Sequence, residues 1–188
     1  GMICSEFKGG IGTSSRKLSE KAGGYTVGVL VQCNHGIRRL LHVAGVPVGK
    51  EIPGPSVWDD DTGSIIVVVA TDAPLLPHQL KRLARRVTLG LGRNGSISGN
   101  GSGDIFISFS TANLGAGMSK GPAPITILPI AKIDPLFEAT VQATEEAVIN
   151  AMVAAETMTG IDNHRVEALP HDKLREVLKK YNRLVETK

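Results

Sequence analysis

Cysteine is scarce in this chain: Cys4 and Cys33 are the only two among 188 residues, and they form no C-x-x-C pair. Both stand in largely apolar stretches, which predicts buried thiols rather than a disulfide or a metal site and fits a reducing, cytoplasmic setting. The five histidines (His35, His42, His78, His164 and His171) are scattered without H-E-x-x-H spacing, so no catalytic zinc and no cofactor are expected. No apolar run exceeds about six residues, far below the roughly 20 a membrane-spanning helix needs, and no membrane partner follows. Charge of one sign is lacking too. The net charge is only +3 and acids alternate with bases, which argues against a nucleic-acid partner. One basic cluster, His78, Lys81, Arg82, Arg85 and Arg86, recurs at helical spacing opposite Leu80, Leu83, Ala84 and Val87 and reads as the solvated side of an amphipathic helix. Gly1-Met2 reads as a tag remnant before a start, and no leader pattern follows it.

What is present is ordinary globular material: 41% hydrophobic and 21% charged residues in a length that fits one domain, residues 1–188. Residues 25–33 form a mostly apolar run suited to a buried strand, ended by Asn34-His35-Gly36. Residues 65–70 (Ile-Ile-Val-Val-Val-Ala) read as a fully buried strand. In residues 104–110, Ile105, Ile107 and Phe109 alternate with Phe106, Ser108 and Ser110, a strand with one more polar face. Helices are predicted from Pro77 to Leu89, stopped by Gly90 and Gly92, and from Asp134 to about Glu156. The second is rich in small residues (Ala139, Ala143, Ala147, Ala151, Ala154, Ala155) suited to close packing. A last helix opens at Pro170 and Asp172, burying Leu174, Val177, Leu178, Tyr181 and Leu184. Residues 6–24 read as loop with short strands at its sides, residues 40–43 as a short strand, and residues 46–52 as an extended surface piece because Pro47, Pro53 and Pro55 forbid a helix interior.

The chemistry is sought where an acidic turn, Asp59-Asp60-Asp61-Thr62, meets the 65–70 run through Gly63-Ser64. Glycine leaves its carbonyl open to attack from the side. If the Gly63-Ser64 bond were cut, Ser64 would carry its own base, because a free α-amino group titrates near about 7.7–8.0 and can take the hydroxyl proton. An ordinary turn before a strand is the other reading of the same pair. The glycine-dense segment 90–103 spells Gly90-x-Gly92-x-x-Gly95, but a helix precedes it and a strand follows, the reverse of a dinucleotide-binding context. It is either a flexible linker or a loop passing close to a ligand, with Ser102 and Asp104 at its reactive end. Ser14-x-x-Lys17 lacks the partner motifs of a β-lactamase.

Several long segments together resemble a known family: Glu6-Phe-Lys-Gly-Gly-Ile-Gly-Thr, Gly28-Val-Leu-Val-Gln-Cys-Asn34, Thr62-Gly-Ser-Ile-Ile-Val-Val-Val-Ala-Thr-Asp-Ala-Pro-Leu, Asn100-Gly-Ser-Gly-Asp-Ile, Glu156-Thr-Met-Thr-Gly and His164-Arg-Val-Glu-Ala-Leu-Pro. They look like the DmpA type of L-aminopeptidase/D-esterase, peptidase family S58, which also holds β-aminopeptidases. The resemblance implies an α+β fold, part of a four-layer αββα sandwich, reached by self-cleavage of a precursor. Residues 1–63 would then end the α chain, and residues 64–188 would be the β chain. It implies Ser64 as nucleophile, Asn34 as oxyanion donor, and Ser102 with Asp104 as groups assisting the nucleophile; some members carry glutamate where Asp104 stands. Read without the family, Asn34 is also a turn-forming strand end, and Ser102 with Asp104 a loop-to-strand cap. The family's polypeptide extends well before the position matching Gly1 and contributes a site tyrosine that neither Tyr25 nor Tyr181 replaces. Surfaces meant for that part would favour a homo-oligomer. The implied function is hydrolysis of N-terminal aminoacyl amides or esters of small peptides. The alternative is a truncated, inactive member acting as an assembly or binding subunit. Acyltransferases of the same sandwich fold use threonine at the nucleophile position.

Overall fold

β-Branched residues at alternate positions build the centre of the molecule. The computed structural model describes residues 1–54, 63–118 and 120–185, so the acidic turn at 59–62 lies outside the described residues. After a hairpin of β1 (Ile3–Cys4) and β2 (Phe7–Lys8) come β3 (Gly10–Lys17), β4 (Thr26–Asn34), β5 (Ser64–Thr71) and β6 (Ile105–Ser110), which form one sheet in that order. β3 to β4 and β4 to β5 are antiparallel; β5 to β6 is parallel and therefore needs a crossover, which α2 (Pro77–Arg93) supplies. Val27, Val29, Val31 and Cys33 of β4 and Ile65, Val67 and Val69 of β5 point into the core. α2 and α3 (Asp134–Val153) cover that face, α3 over β3 and β4 and α2 over β6.

Among the described residues nothing covers the other face. The register sets three cross-strand rows on it: Ile11, Gln32, Ile66 and Ile105; Thr13, Leu30, Val68 and Ile107; Ser15, Gly28, Ala70 and Phe109. Ile107 is 51% exposed and Phe109 45%, values that apolar strand residues do not show when covered. The expectation of a fully buried strand over 65–70 is thus corrected: β5 alternates buried and open positions, because only one of its two apolar faces meets a helix layer. β6 closes one margin of the sheet, and it alternates as predicted, with Ile105, Ile107 and Phe109 on the open side.

Gly90 and Gly92 do not stop α2. A Cβ on Gly90 would stand 2.6 Å from Thr144 Cβ and 2.8 Å from the Val141 carbonyl, so this glycine lets α2 and α3 touch, and the helix runs on to Arg93 before Gly95 turns at φ 93°. α3 ends at Val153, so Ala154 and Ala155 lie beyond it, while Ala139, Ala143, Ala147 and Ala151 are buried as the small-residue spacing predicted. Within the basic cluster, Arg82 and Arg86 lie over the Phe137 ring, at 5.1 and 3.7 Å from its centroid, rather than reaching into solvent.

Three further expectations change. Residues 10–17 form a full edge strand that looked like loop because its open positions are polar apart from Ile11 and its covered ones include glycine. Residues 40–43 are not a strand: Leu40 closes a 3₁₀ turn, Arg38–Leu40, and one isolated bridge joins Val43 to Val46. Residues 46–52 hold a short helix, α1 (Val48–Glu51), with Pro47 just before its start where a missing N–H costs nothing, and Val46, Val48 and Ile52 are buried. After a second hairpin, β7 (Met158–Thr159) with β8 (Arg165–Val166), α4 (His171–Lys180) buries Leu174 and Val177. Tyr181, expected inside, is exposed and donates its hydroxyl to Glu51 at 2.7 Å, beside a Lys180 to Glu51 ion pair of 2.8 Å that ties α4 to α1. Cys4 and Cys33 are joined by a disulfide, not left as thiols: the turn at Ser5 and Glu6, at φ 47° and 60°, folds β1 onto the end of β4 and brings the two Cα atoms to 5.6 Å. Among the described residues no helix is long and apolar enough to cross a membrane.

Candidate active site

Antiparallel pairing places Asn34, the last residue of β4, directly opposite Ser64, the first of β5. Paired residues share a face, so both side chains lie at one end of the open side of the sheet. Gly63 precedes Ser64 for a steric reason rather than a conformational one: a Cβ there would overlap the Asn34 carbonyl oxygen and stand 2.8 Å from His35 Cα. Gly63→Ala is expected to prise this strand end apart and lower stability by about 1–3 kcal/mol, read as a lower melting temperature.

The loop before β6 reaches Ser64 through its backbone. Gly103 N–H donates to Ser64 Oγ at 2.9 Å. Asp104 fixes that loop against β5: its Oδ1 accepts from Ile65 N–H at 3.0 Å and from Ser102 Oγ at 2.6 Å, and its Oδ2 accepts from Ser98 Oγ at 3.0 Å. Asp104 and Ser102 therefore lie in the same corner as Ser64, but their side-chain hydrogen bonds go to each other, to Ser98 and to the Ile65 main chain, not to Ser64 Oγ. Sequence reasoning missed Ser98 and Gly103. Ser98, at φ 46°, is one more serine in a glycine-serine stretch; Gly103 was flanked by two candidates and passed over because the group it contributes is a main-chain N–H.

Asn34 Oδ1 accepts from Ile3 N–H at 2.9 Å. A backbone N–H can only donate, so this bond settles which end of the amide is oxygen and leaves the NH2 as the group with protons to offer. Among the described residues no imidazole, ammonium or carboxylate hydrogen-bonds Ser64 Oγ. Tyr25 lies just before β4, at the opposite end from Asn34, and Tyr181 is engaged with Glu51, so neither serves this corner. Cys4 and Cys33 sulfurs and His35 gather within 4.8 Å, yet the two sulfurs are bonded to each other and hold no thiolate for a metal.

Residues 1–166 match the model of peptidase family S58. The chain is 51% identical over 205 residues to the beta-peptidyl aminopeptidase BapA of Sphingosinicella microcystinivorans, covering 100% of this chain and 52% of that protein. Among solved structures, an L-aminopeptidase D-Ala-esterase/amidase from Ochrobactrum anthropi, described as a variant of the Ntn hydrolase fold, superposes with TM-score 0.86 at 49% identity, covering 98% of this chain and 52% of that one. A Burkholderia sp. beta-aminopeptidase gives TM-score 0.85 at 46% identity over 96% of this chain and 51% of that one. The chain spans about half the length of the curated relatives it matches. The α+β class expected from the sequence agrees with these neighbours, and on sequence and on backbone alike the chain belongs to peptidase family S58.

Proposed function

We propose that this chain carries the nucleophile half of an aminopeptidase whose Ser64 is released by a break between Gly63 and Ser64, dividing residues 1–63 from residues 64–188. The observation that carries the reading is the meeting of three groups at one strand end: Ser64, the Gly103 N–H on its Oγ at 2.9 Å, and Asn34 opposite it in register. Ser64 Oγ attacks the carbonyl carbon of an N-terminal aminoacyl amide or ester. Its own α-amine takes the hydroxyl proton and passes it to the leaving group. The Asn34 NH2 donates to the oxyanion, and water then releases the acyl group. Asp104, with Ser102 and Ser98, holds the loop that presents Gly103. The relatives named above are β-peptidyl and L-aminopeptidases, and a small peptide or amide with a free amino end is the substrate proposed here.

The bare face of the sheet is the place for a second sheet, which would complete an αββα sandwich in the full-length protein; its apolar rows, such as Ile66 with Ile105 and Val68 with Ile107, suit burial against another sheet. Self-association into a homo-oligomer is part of the same proposal. An inactive assembly subunit would account for Asn34 on Ile3 N–H and for Asp104 on Ile65 N–H, which hold the fold, but it gives no use to a Ser64 Oγ that meets the Gly103 N–H beside Asn34.

Mass spectrometry of the purified full-length protein tests the release step, with a fragment beginning at Ser64 as the expected product; an unbroken chain under all conditions would remove the proposed base. Asn34→Ala is expected to lower kcat by about 10²–10³-fold toward aminoacyl p-nitroanilides. Because the base must be neutral to accept a proton, kcat/KM should fall as pH drops through about 7.7–8.0, the range of a free α-amine. A profile flat across that range would point to another base.

A further inference from the structure

The hairpin of β1 and β2 is fastened to the end of β4 by three consecutive residues. Ile3 N–H donates to Asn34 Oδ1 at 2.9 Å, Cys4 is bonded to Cys33, and Ser5 N–H donates to the His35 carbonyl at 2.7 Å. All three attachments fall on Asn34 or a residue beside it. The hairpin's own ladder is two pairs long, Ile3 with Lys8 and Cys4 with Phe7, and so short a ladder holds little by itself. Packing confirms how tight the seam is: a Cβ on Gly9 would stand 2.9 Å from Cys4 Cβ, and Cys4 and Cys33 are both fully buried.

We infer that the Cys4–Cys33 disulfide, acting through the Ile3 N–H, holds the Asn34 amide with its NH2 presented to the reaction centre, so that both cysteines are positioning residues for hydrolysis and turnover falls when they are reduced. The inference rests on the reading of Asn34 as oxyanion donor given above. A primary amide can rotate end for end, and its two ends differ in sign toward an anion. With Ile3 in place, Oδ1 is occupied and the NH2 is the end left to face the substrate. Without it, nothing in the described residues forbids the rotated amide, whose oxygen would repel the developing charge. Reduction by a dithiol breaks only the bond between the two sulfurs. The two electrons and two protons that leave the reductant, as it closes to its own cyclic disulfide, yield two Cys thiols. Sulfurs no longer bonded move apart to van der Waals separation, and Cys4 carries Ile3 with it.

The test uses the full-length protein with an aminoacyl p-nitroanilide. A non-reducing digest should contain a peptide linking Cys4 to Cys33. Wild type treated with dithiothreitol until iodoacetamide counts two thiols, and the Cys4→Ala/Cys33→Ala variant, should both show kcat about 10–100-fold lower, the cost of a displacement near an ångström, with KM within about twofold. Reoxidation should restore the wild type, and this arm decides if the double variant does not fold. In an Asn34→Ala background, reduction should change kcat by less than about twofold, the non-additivity expected of residues acting on one group. Absence of the linked peptide, wild-type kcat in the reduced protein, or equal losses in both backgrounds would overturn the inference while leaving the proposed function standing. Asn34→Ala with wild-type kcat would remove the oxyanion role of Asn34 as well.

Discussion

Ser64→Ala is expected to give a chain that stays whole at Gly63–Ser64 and hydrolyses aminoacyl amides at least about 10⁴-fold more slowly than the wild type. One oxygen is asked to do both jobs, and its neighbours are not substitutes. Ser102 Oγ donates to Asp104 Oδ1 and Ser98 Oγ to Oδ2, so the two nearby hydroxyls are engaged in holding the loop. Alanine also removes the acceptor for Gly103 N–H, which then has only solvent or substrate to meet. Gel mobility and intact mass read the first effect, and initial rates read the second. A Ser64→Ala protein that still breaks at this bond, or still turns over at a tenth of the normal rate, would show that the nucleophile lies elsewhere.

A large loss of stability is expected at Gly12→Ala. Gly12 sits on the covered side of β3 beneath α3, and a Cβ there would overlap the Ala147 carbonyl oxygen while standing 2.6 Å from Ala151 N and 2.8 Å from Ala151 Cβ. Two of these three obstacles are helix main chain, which cannot rotate aside as a side chain would. α3 must lift, and it buries Ala143, Ala147, Ala151 and Met152 on the contact that would open. A loss of about 2–4 kcal/mol is expected, hence a melting temperature lower by roughly 5–15 °C in a protein of this size and by less in a longer one. Gly92→Ala is the matching control. Its Cβ meets nothing within 4 Å, and alanine inside a helix should leave stability unchanged or raise it by up to about 1 kcal/mol. Thermal unfolding of the two variants, followed by circular dichroism, separates close packing from backbone preference; equal melting temperatures would contradict the contact between β3 and α3.

These glycines also explain what the sequence could and could not convey. β4, β6 and the three long helices were legible because their apolar periodicity is local. β3 was not, because Gly12 answers to Ala147 and Ala151, more than a hundred residues away, and Ile11 is the one apolar side chain in a strand otherwise made of glycine and polar residues. Gly90 was misread as a stop for the same reason, its partner Thr144 being distant in sequence. β5 misled differently: a run apolar on both sides announces two covers, and only one lies within the described residues. The disulfide depended on a tight turn at Ser5 and Glu6, where neither residue type advertises a positive φ. At the site, Ser64 and Ser102 with Asp104 could be singled out from the local pattern with bland readings beside them, Asn34 and all the roles came through motif likeness, and Gly103 offered no side chain to notice and Ser98 no partner within reach of local inspection.

The two margins of the central sheet are unequally guarded. β3 ends in Arg16 and Lys17, charges that discourage a neighbouring chain from adding a strand, whereas β6 offers Ile-Phe-Ile-Ser-Phe-Ser, six residues without a charge, a proline or a glycine. That is the composition of a cross-β seed. Newly made chains that meet before this margin is shielded would stack into fibrils or inclusion bodies, and the speed of shielding, more than the depth of the core, would then govern how much native protein a cell recovers.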